Sequence, residues 1–175
     1  MVIDNVIKNI NNNKKGLNIG LYMGFQKLLE YVPGVQQETI YTIGGMTGSA
    51  KTAFALSAFC YNPYDDYIRR RNQGESIDLK ILLYSFEMSK EMLLTKAVCR
   101  RIYLEHKLLI DVAYVLSRGK NRISQEVYDL VLTTRKYFEE FEDTVTIFGP
   151  ENPTGIHKQI HQVVLQQGQE VTTPA

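Results

Sequence analysis

The sequence predicts an α/β fold in which a parallel sheet is flanked by helices. Three observations predict it. Short β-type runs stand at residues 39–43, 77–85 and 144–148, with helix-type patterns between them. The middle run, from Ile77 to Ser85, contains the apolar stretch Ile81-Leu82-Leu83-Tyr84, which suits a strand buried on both faces, as parallel sheets require. The order strand, helix, strand, helices, strand, helix calls for crossover connections, and these are right-handed in parallel sheets.

Each element has a local reason. Residues 1–15 place Val2, Val6, Ile7 and Ile10 on one stripe of a short amphipathic helix, ended by the polar run Asn11 to Gly16. A stripe this short docks on the domain body or on another subunit, or the segment frays. Residues 17–37 are punctuated by Gly20, Gly24 and Pro33-Gly34, with one or two helical turns around Phe25, Leu28, Leu29 and Tyr31. The β-type run Thr39-Ile40-Tyr41-Thr42-Ile43 leads into a glycine-rich turn and the helix-type run Ala53 to Phe59. Asn62-Pro63 is expected to break that helix. After the second strand, Ser89 is placed to cap a helix running to His106. Ile110 to Leu116 forms a short helical piece, broken at Arg118-Gly119-Lys120. Ser124 caps a helix from Gln125 to Glu142. The third strand, Thr144 to Phe148, ends at Gly149-Pro150. A last helix starts at Asn152-Pro153-Thr154 and is expected to stop at Gln166-Gln167-Gly168.

The chain has 175 residues, fits one domain, and is 44% hydrophobic, enough for a real core. A formal net charge of +1 gives no global basic field, so any nucleic-acid contact must be local. Cys60 and Cys99 sit far apart in apolar helical patterns and read as reduced core thiols, not a disulfide framework or zinc cluster. No signal-peptide pattern and no bilayer-length apolar run is present, so a cytoplasmic location without a membrane partner is expected.

The strongest chemical signal is Gly44-Gly45-Met46-Thr47-Gly48-Ser49-Ala50-Lys51-Thr52. Strand, glycine-rich turn, Lys-Thr and helix form the context of a nucleotide-phosphate loop, in which backbone N–H groups face the phosphate anion. The candidate phosphate-binding residues are Gly45, Met46, Thr47, Gly48, Ser49, Ala50, Lys51 and Thr52. Lys51 would reach the outer phosphates, and the Thr52 hydroxyl would hold Mg²⁺. The pattern G-x-x-x-x-G-K-[ST] is met from Gly45 with one departure, Ala50 in place of the last glycine. Alanine is harmless there if its backbone is helical and strained if its φ is positive. A second group, Glu87, stands in Ser85-Phe86-Glu87-Met88-Ser89 directly after the middle strand, where open parallel sheets carry their chemistry. It reads as a catalytic carboxylate or as an acid stabilised at a helix start.

Two further patterns have two readings each. The stretch Tyr61 to Asn72 mixes tyrosines and arginines, which suits base stacking and phosphate pairing with single-stranded nucleic acid. It also suits a solvated helix face on which Asp65 and Asp66 pair the arginines. His157 and His161 lie four apart, a spacing that can bind metal, but without a third ligand they read as solvated side chains.

Taken together, the phosphate loop, the Ser-Phe-Glu-Met-Ser turn, and the segment from Ile110 to Lys120 leading to Ser124-Gln125-Glu126 resemble the RecA-like motor domain of DnaB-type replicative helicases. The lead-in Ile19 to Leu28 is similar to that family's segment before its first strand. The resemblance runs from the N-terminus to about Gln167. It implies a P-loop NTPase with an incomplete RecA-like sheet: a linker helix over residues 1–16, the front part of the ATPase domain over 17–167, and a disordered tail over 168–175. It further implies ATP and Mg²⁺ as cofactors, with Lys51 and Thr52 on the phosphates and metal. Glu87 would orient and activate the attacking water. The implied partners are single-stranded DNA and further copies of the chain in a homo-hexamer, with residues 1–15 docking on a neighbouring subunit. The family continues with a strand ending in a Mg²⁺-side acid, then DNA-contacting loops and an arginine finger. The sequence stops at Ala175 before that Walker B strand, and Asp65, Asp66, Asp111 and Asp143 follow no suitable strand. The expectation is therefore a truncated motor. The alternatives are another RecA-like ATPase and a nucleotide-binding or assembly module without turnover.

Overall fold

The computed structural model describes residues 2–14, 20–118, 120, 122–149 and 153–170. The chain divides into two compact units, Met1–Leu79 and Lys80–Ala175.

The first unit opens with helix α1, Val2–Lys14. Its apolar residues Ile3, Val6, Ile7 and Ile10 are all exposed. Next comes a strap that folds back on itself: Leu21 and Val35 exchange backbone hydrogen bonds of 3.0 and 2.8 Å, bracketing the single turn α2, Gln26–Leu29. The scaffold is a continuous helical run formed by α3, Lys51–Leu56, a π turn over Ser57–Tyr61, and α4, Asn62–Asn72.

Two expectations fail in this unit. Residues 39–43 form no strand, because a ladder needs a partner and the described strands pair only with each other. Ile40 is 93% exposed, and the segment is pinned instead through Tyr41. The Tyr41 hydroxyl donates to Gly34 O and accepts from Gln36 N, while its ring lies 5.2 Å from that of Phe59. Nor does Asn62-Pro63 end the helix. Pro63 has no N–H to give, and its ring would press on the carbonyl four residues back. The π turn just before it widens the ladder, with Asn62 N–H donating five residues back to Ser57 O, and the helix continues.

The Tyr61–Asn72 stretch is resolved as a folding element. Tyr61, Tyr64 and Tyr67 are buried, with Tyr64 only 1% exposed, so none offers a face to a base. They form the core of the unit with Met23, Leu56, Ala58 and Cys60. The buried Asp66 carboxylate accepts from Tyr22 N at 3.0 Å and pairs with Arg69, and Arg70 pairs with Glu75. Asn62 Nδ2 donates to Met23 O at 2.8 Å. The strap is thus fastened to α4 by two polar clips. Gly24 permits the close approach: its φ is +86°, and a Cβ there would meet Asn62 Nδ2 at 1.8 Å.

The second unit contains a parallel pair, β1 (Ile81–Tyr84) and β2 (Val145–Phe148), in the register Ile81 to Val145 through Tyr84 to Phe148. The mixed helix-and-strand class is as expected, with a sheet of two strands among the described residues. β1 is shorter than the run of residues 77–85. Tyr84 and Phe148 close the pair with rings stacked at 4.7 Å. Helix α5, Lys90–His106, starts where expected: Ser89 Oγ accepts from Met92 N. It ends at Lys107, whose left-handed backbone (φ 58°) lets its N–H reach Tyr103 O.

Helix α6, Val112–Val115, is capped by Asp111, and α7, Gln125–Thr133, by Ser124, as its sequence promised. The helix expected to reach Glu142 is interrupted at Thr134 and resumes as α8, Arg135–Thr144. Ile102, Ile110 and Val127 form the centre of the helical core, with Val98, Tyr114, Val115, Ile123, Leu130 and Val131 around them. Phe141 of α8 is buried, as is Val145, the first residue of β2 in the ladder. Helix α9, Pro153–Glu170, runs past Gln166-Gln167-Gly168, so the expected stop there does not hold. One glycine in a helix costs only about 1 kcal/mol, less than neighbouring turns can supply. Residues 171–175 lie outside the described residues, as do Asn152 and the break residue Gly119. No helix among the described residues is long and apolar enough to cross a membrane.

Candidate functional site

The candidate residues fall into two groups, one in each unit. In the first unit the glycine-rich loop precedes α3 and is exposed from Gly44 to Ala50. A tight turn over Thr47-Gly48-Ser49 is closed by Ser49, whose Oγ and N–H both donate to Met46 O, at 2.7 and 3.2 Å. Gly48 takes φ +80°, and Cβ atoms built at Gly44 or Gly48 meet nothing within 4 Å, so one side of the loop is open. Gly45 is closed on its other side, since a Cβ there would meet Ser49 Oγ at 2.7 Å. Lys51 folds back over the loop and donates from Nζ to Gly45 O and Met46 O, both at 2.7 Å. The structure thus brings together Gly45, Met46, Ser49 and Lys51. Thr52, the second residue of α3, is exposed.

Ala50 stands where the loop turns into α3. Its backbone is left-handed (φ 58°, ψ 25°) at the N-cap of α3, and its carbonyl accepts from Phe54 N at 2.9 Å. A Cβ in this conformation crowds the following carbonyl, so the departure from glycine is strained.

In the second unit, Glu87 lies in a turn at the carboxyl end of β1, immediately before α5. Both Glu87 and Phe86 are exposed. The turn is closed by Ser85: its Oγ donates to Met88 O at 2.6 Å and accepts from Met88 N at 3.1 Å. Ser85 N–H donates to Phe148 O at 3.2 Å, which extends the parallel ladder by one bond. Sequence reasoning singled out Glu87 and missed Ser85. The signal was a serine at a strand end, poised for a local side-chain-to-backbone turn.

Two of the other acids use their carboxylates structurally, and Asp143 takes part through its backbone. Asp66 serves the strap, Asp111 caps α6, and the backbone carbonyl of Asp143 accepts from Lys80 Nζ at 2.7 Å. His157 and His161 stack at 6.5 Å and are exposed, and no group of three or more His, Cys, Asp or Glu among the described residues is placed to hold a metal ion. A Mg²⁺ ion at Thr52 therefore fits only as one brought by phosphate oxygens and water, the usual manner for that cation. An open groove of about 540 Å³ runs along α5, lined mainly by Leu94, Val98, Val115 and Val131 with Lys90 and Glu91 at its margin.

No known family, no curated protein and no solved structure matches this chain.

Proposed function

We propose that this chain carries the ATP-binding motor of a DnaB-like replicative DNA helicase, in which ATP hydrolysis is coupled to DNA unwinding. The observation that carries the reading is the glycine-rich loop. Its Lys51 ammonium already rests on two loop carbonyls, its Gly44 and Gly48 side is open, and Thr52 is exposed at the start of the following helix. Such a loop can exchange carbonyl contacts for phosphate oxygens, which bind an ammonium more strongly.

In this reading Lys51 neutralises charge on the transferred phosphoryl group, and Thr52 contributes a ligand to Mg²⁺. ATP supplies the phosphoryl group and Mg²⁺ screens it. Glu87 orients water and accepts its proton, a task suited to an exposed carboxylate at a strand end. The RecA-like arrangement, a homo-hexamer and single-stranded DNA as partner belong to the same proposal. The exposed stripe Ile3, Val6, Ile7 and Ile10 supports docking of α1 on a neighbouring subunit.

The test is ATP binding and hydrolysis by the chain beside Lys51→Ala and Glu87→Gln. Binding lost in Lys51→Ala and turnover lost in Glu87→Gln support the motor. Strained Ala50 favours a second reading, a nucleotide-binding module without turnover. Binding that depends on Lys51, with no turnover in the parent, would select that reading.

A further inference from the structure

We propose that Ser85 is a positioning residue that aims the Glu87 carboxylate. The inference rests on Glu87 being the catalytic carboxylate. Among the described residues Glu87 makes no hydrogen bond or ion pair of its own. The backbone of the turn therefore fixes the point from which its side chain leaves the chain. Ser85 controls that backbone from both sides. Its hydroxyl donates to Met88 O at 2.6 Å and accepts from Met88 N at 3.1 Å, so one side chain satisfies both polar groups of the residue after Glu87. A hydroxyl can do both at once. Its N–H donates to Phe148 O at 3.2 Å, which ties the start of the turn to the end of β2. The far end is held where Ser89 caps α5.

The turn is thus fixed to a strand, to a helix and across its own middle. Only the last of these fixings uses a side chain inside the strand-end turn. Removing the Ser85 hydroxyl leaves the ladder and the helix cap in place and frees the three residues between them, Phe86, Glu87 and Met88. A displacement near 1 Å at a reacting group can cost about a hundredfold in rate, so a partial release is expected to lower turnover at least tenfold.

The experiment measures steady-state ATP hydrolysis of the full chain. The variants are Ser85→Ala, Ser85→Thr, Glu87→Gln and the double variant Ser85→Ala/Glu87→Gln. Amide exchange at Met88 is followed in parallel. The expected result is kcat lowered roughly tenfold in Ser85→Ala with KM for ATP unchanged, recovery in Ser85→Thr, and faster exchange at Met88. In the Glu87→Gln background, Ser85→Ala is expected to leave the residual single-turnover rate unchanged. A kcat equal to the parent in Ser85→Ala, while Glu87→Gln is inactive, overturns the positioning role and leaves the catalytic reading standing. An equal further loss in the Glu87→Gln background makes Ser85 merely structural and also overturns it. A parent without turnover removes both readings together. Should Ser85→Ala lose its cooperative melt, Ser85→Cys, a weaker donor of similar shape, takes its place with the same outcomes.

Discussion

The ammonium of Lys51 donates to the carbonyl oxygen of Gly45, six residues back along the same loop, at 2.7 Å. A second bond of 2.7 Å reaches Met46 O. Both bonds lie at the exposed surface, where water can replace the ammonium at either carbonyl. Lys51→Ala is therefore expected to change unfolding free energy by no more than about 0.5 kcal/mol, as surface substitutions do. Its effect on ATP is expected to be far larger, a loss of affinity of at least roughly tenfold, because a charge-assisted contact to phosphate is removed. Urea unfolding and titration calorimetry on the same two proteins separate these effects. Equal affinity in the two would remove Lys51 from the site.

Ala50 makes the opposite prediction. Its left-handed backbone costs about 1–2 kcal/mol for a residue with a Cβ. Glycine relieves this but gives back about 0.5–1 kcal/mol through a freer unfolded chain. The methyl group is exposed, so no packing is lost. Ala50→Gly should raise stability by about 0.5–1 kcal/mol. Ala50→Val, β-branched, should lower it. Denaturant midpoints at constant m-value check the order valine, alanine, glycine.

What the sequence disclosed follows from how local each cause is. Ser89 and Ser124 cap their helices because a hydroxyl needs only the next turn's N–H groups. The apolar runs of β1 and β2 were legible because each is a short stretch rich in strand-forming residues, and the two pair in parallel. Glu87 could be located by the strand and the helix that flank it, whereas Lys51 is marked only by the helix it opens, since the strand expected before its loop does not form. Residues 39–43 were legible as β-type but not as unpaired, since pairing depends on a partner elsewhere in the chain. Pro63 read as a break because the π turn that accommodates it leaves no mark of its own. The left-handed angle of Ala50 is not encoded by alanine at all. The burial of Tyr61, Tyr64 and Tyr67 had a signal, their spacing of three, but tyrosine serves surface and core alike.

That burial yields the third prediction. Tyr64 is 1% exposed in the core of the first unit, and replacing a large aromatic by alanine at such a site costs about 3–5 kcal/mol. Arg71 is exposed, and its guanidinium lies 5.5 Å from the Tyr67 ring centre, a contact worth about 0.5–1 kcal/mol at an exposed site. Tyr64→Ala should therefore abolish or sharply lower the melting transition, while Arg71→Ala shifts it only slightly. If the stretch were a stacking platform for single strands, Tyr64→Ala would instead weaken binding to an oligonucleotide and leave the melt unchanged. Calorimetric melts and fluorescence anisotropy with a short single strand decide between these patterns.

Cys99 supplies the pH dependence. Burial in α5 pushes its thiol above the ordinary value, and the nearby Asp111 carboxylate adds to this, against a smaller lowering by a backbone hydrogen bond. The folded chain therefore holds the thiol proton more tightly than the unfolded chain does. The resulting stabilisation is fully present below the ordinary thiol range and is lost as pH rises through the folded value. Other groups titrate in the same alkaline window, so the comparison must be with Cys99→Ala. The parent should lose more stability than the variant between neutral and alkaline pH. Asp111→Asn should narrow that difference while keeping the cap on α6, since asparagine also caps helices. The same protonation makes Cys99 slow to alkylate in the folded chain and fast after unfolding, because the thiolate is the nucleophile. Urea melts across pH, with mass-resolved alkylation of Cys99, measure both effects. A parent and Cys99→Ala with parallel stability profiles would show that the thiol proton is held equally in the two states.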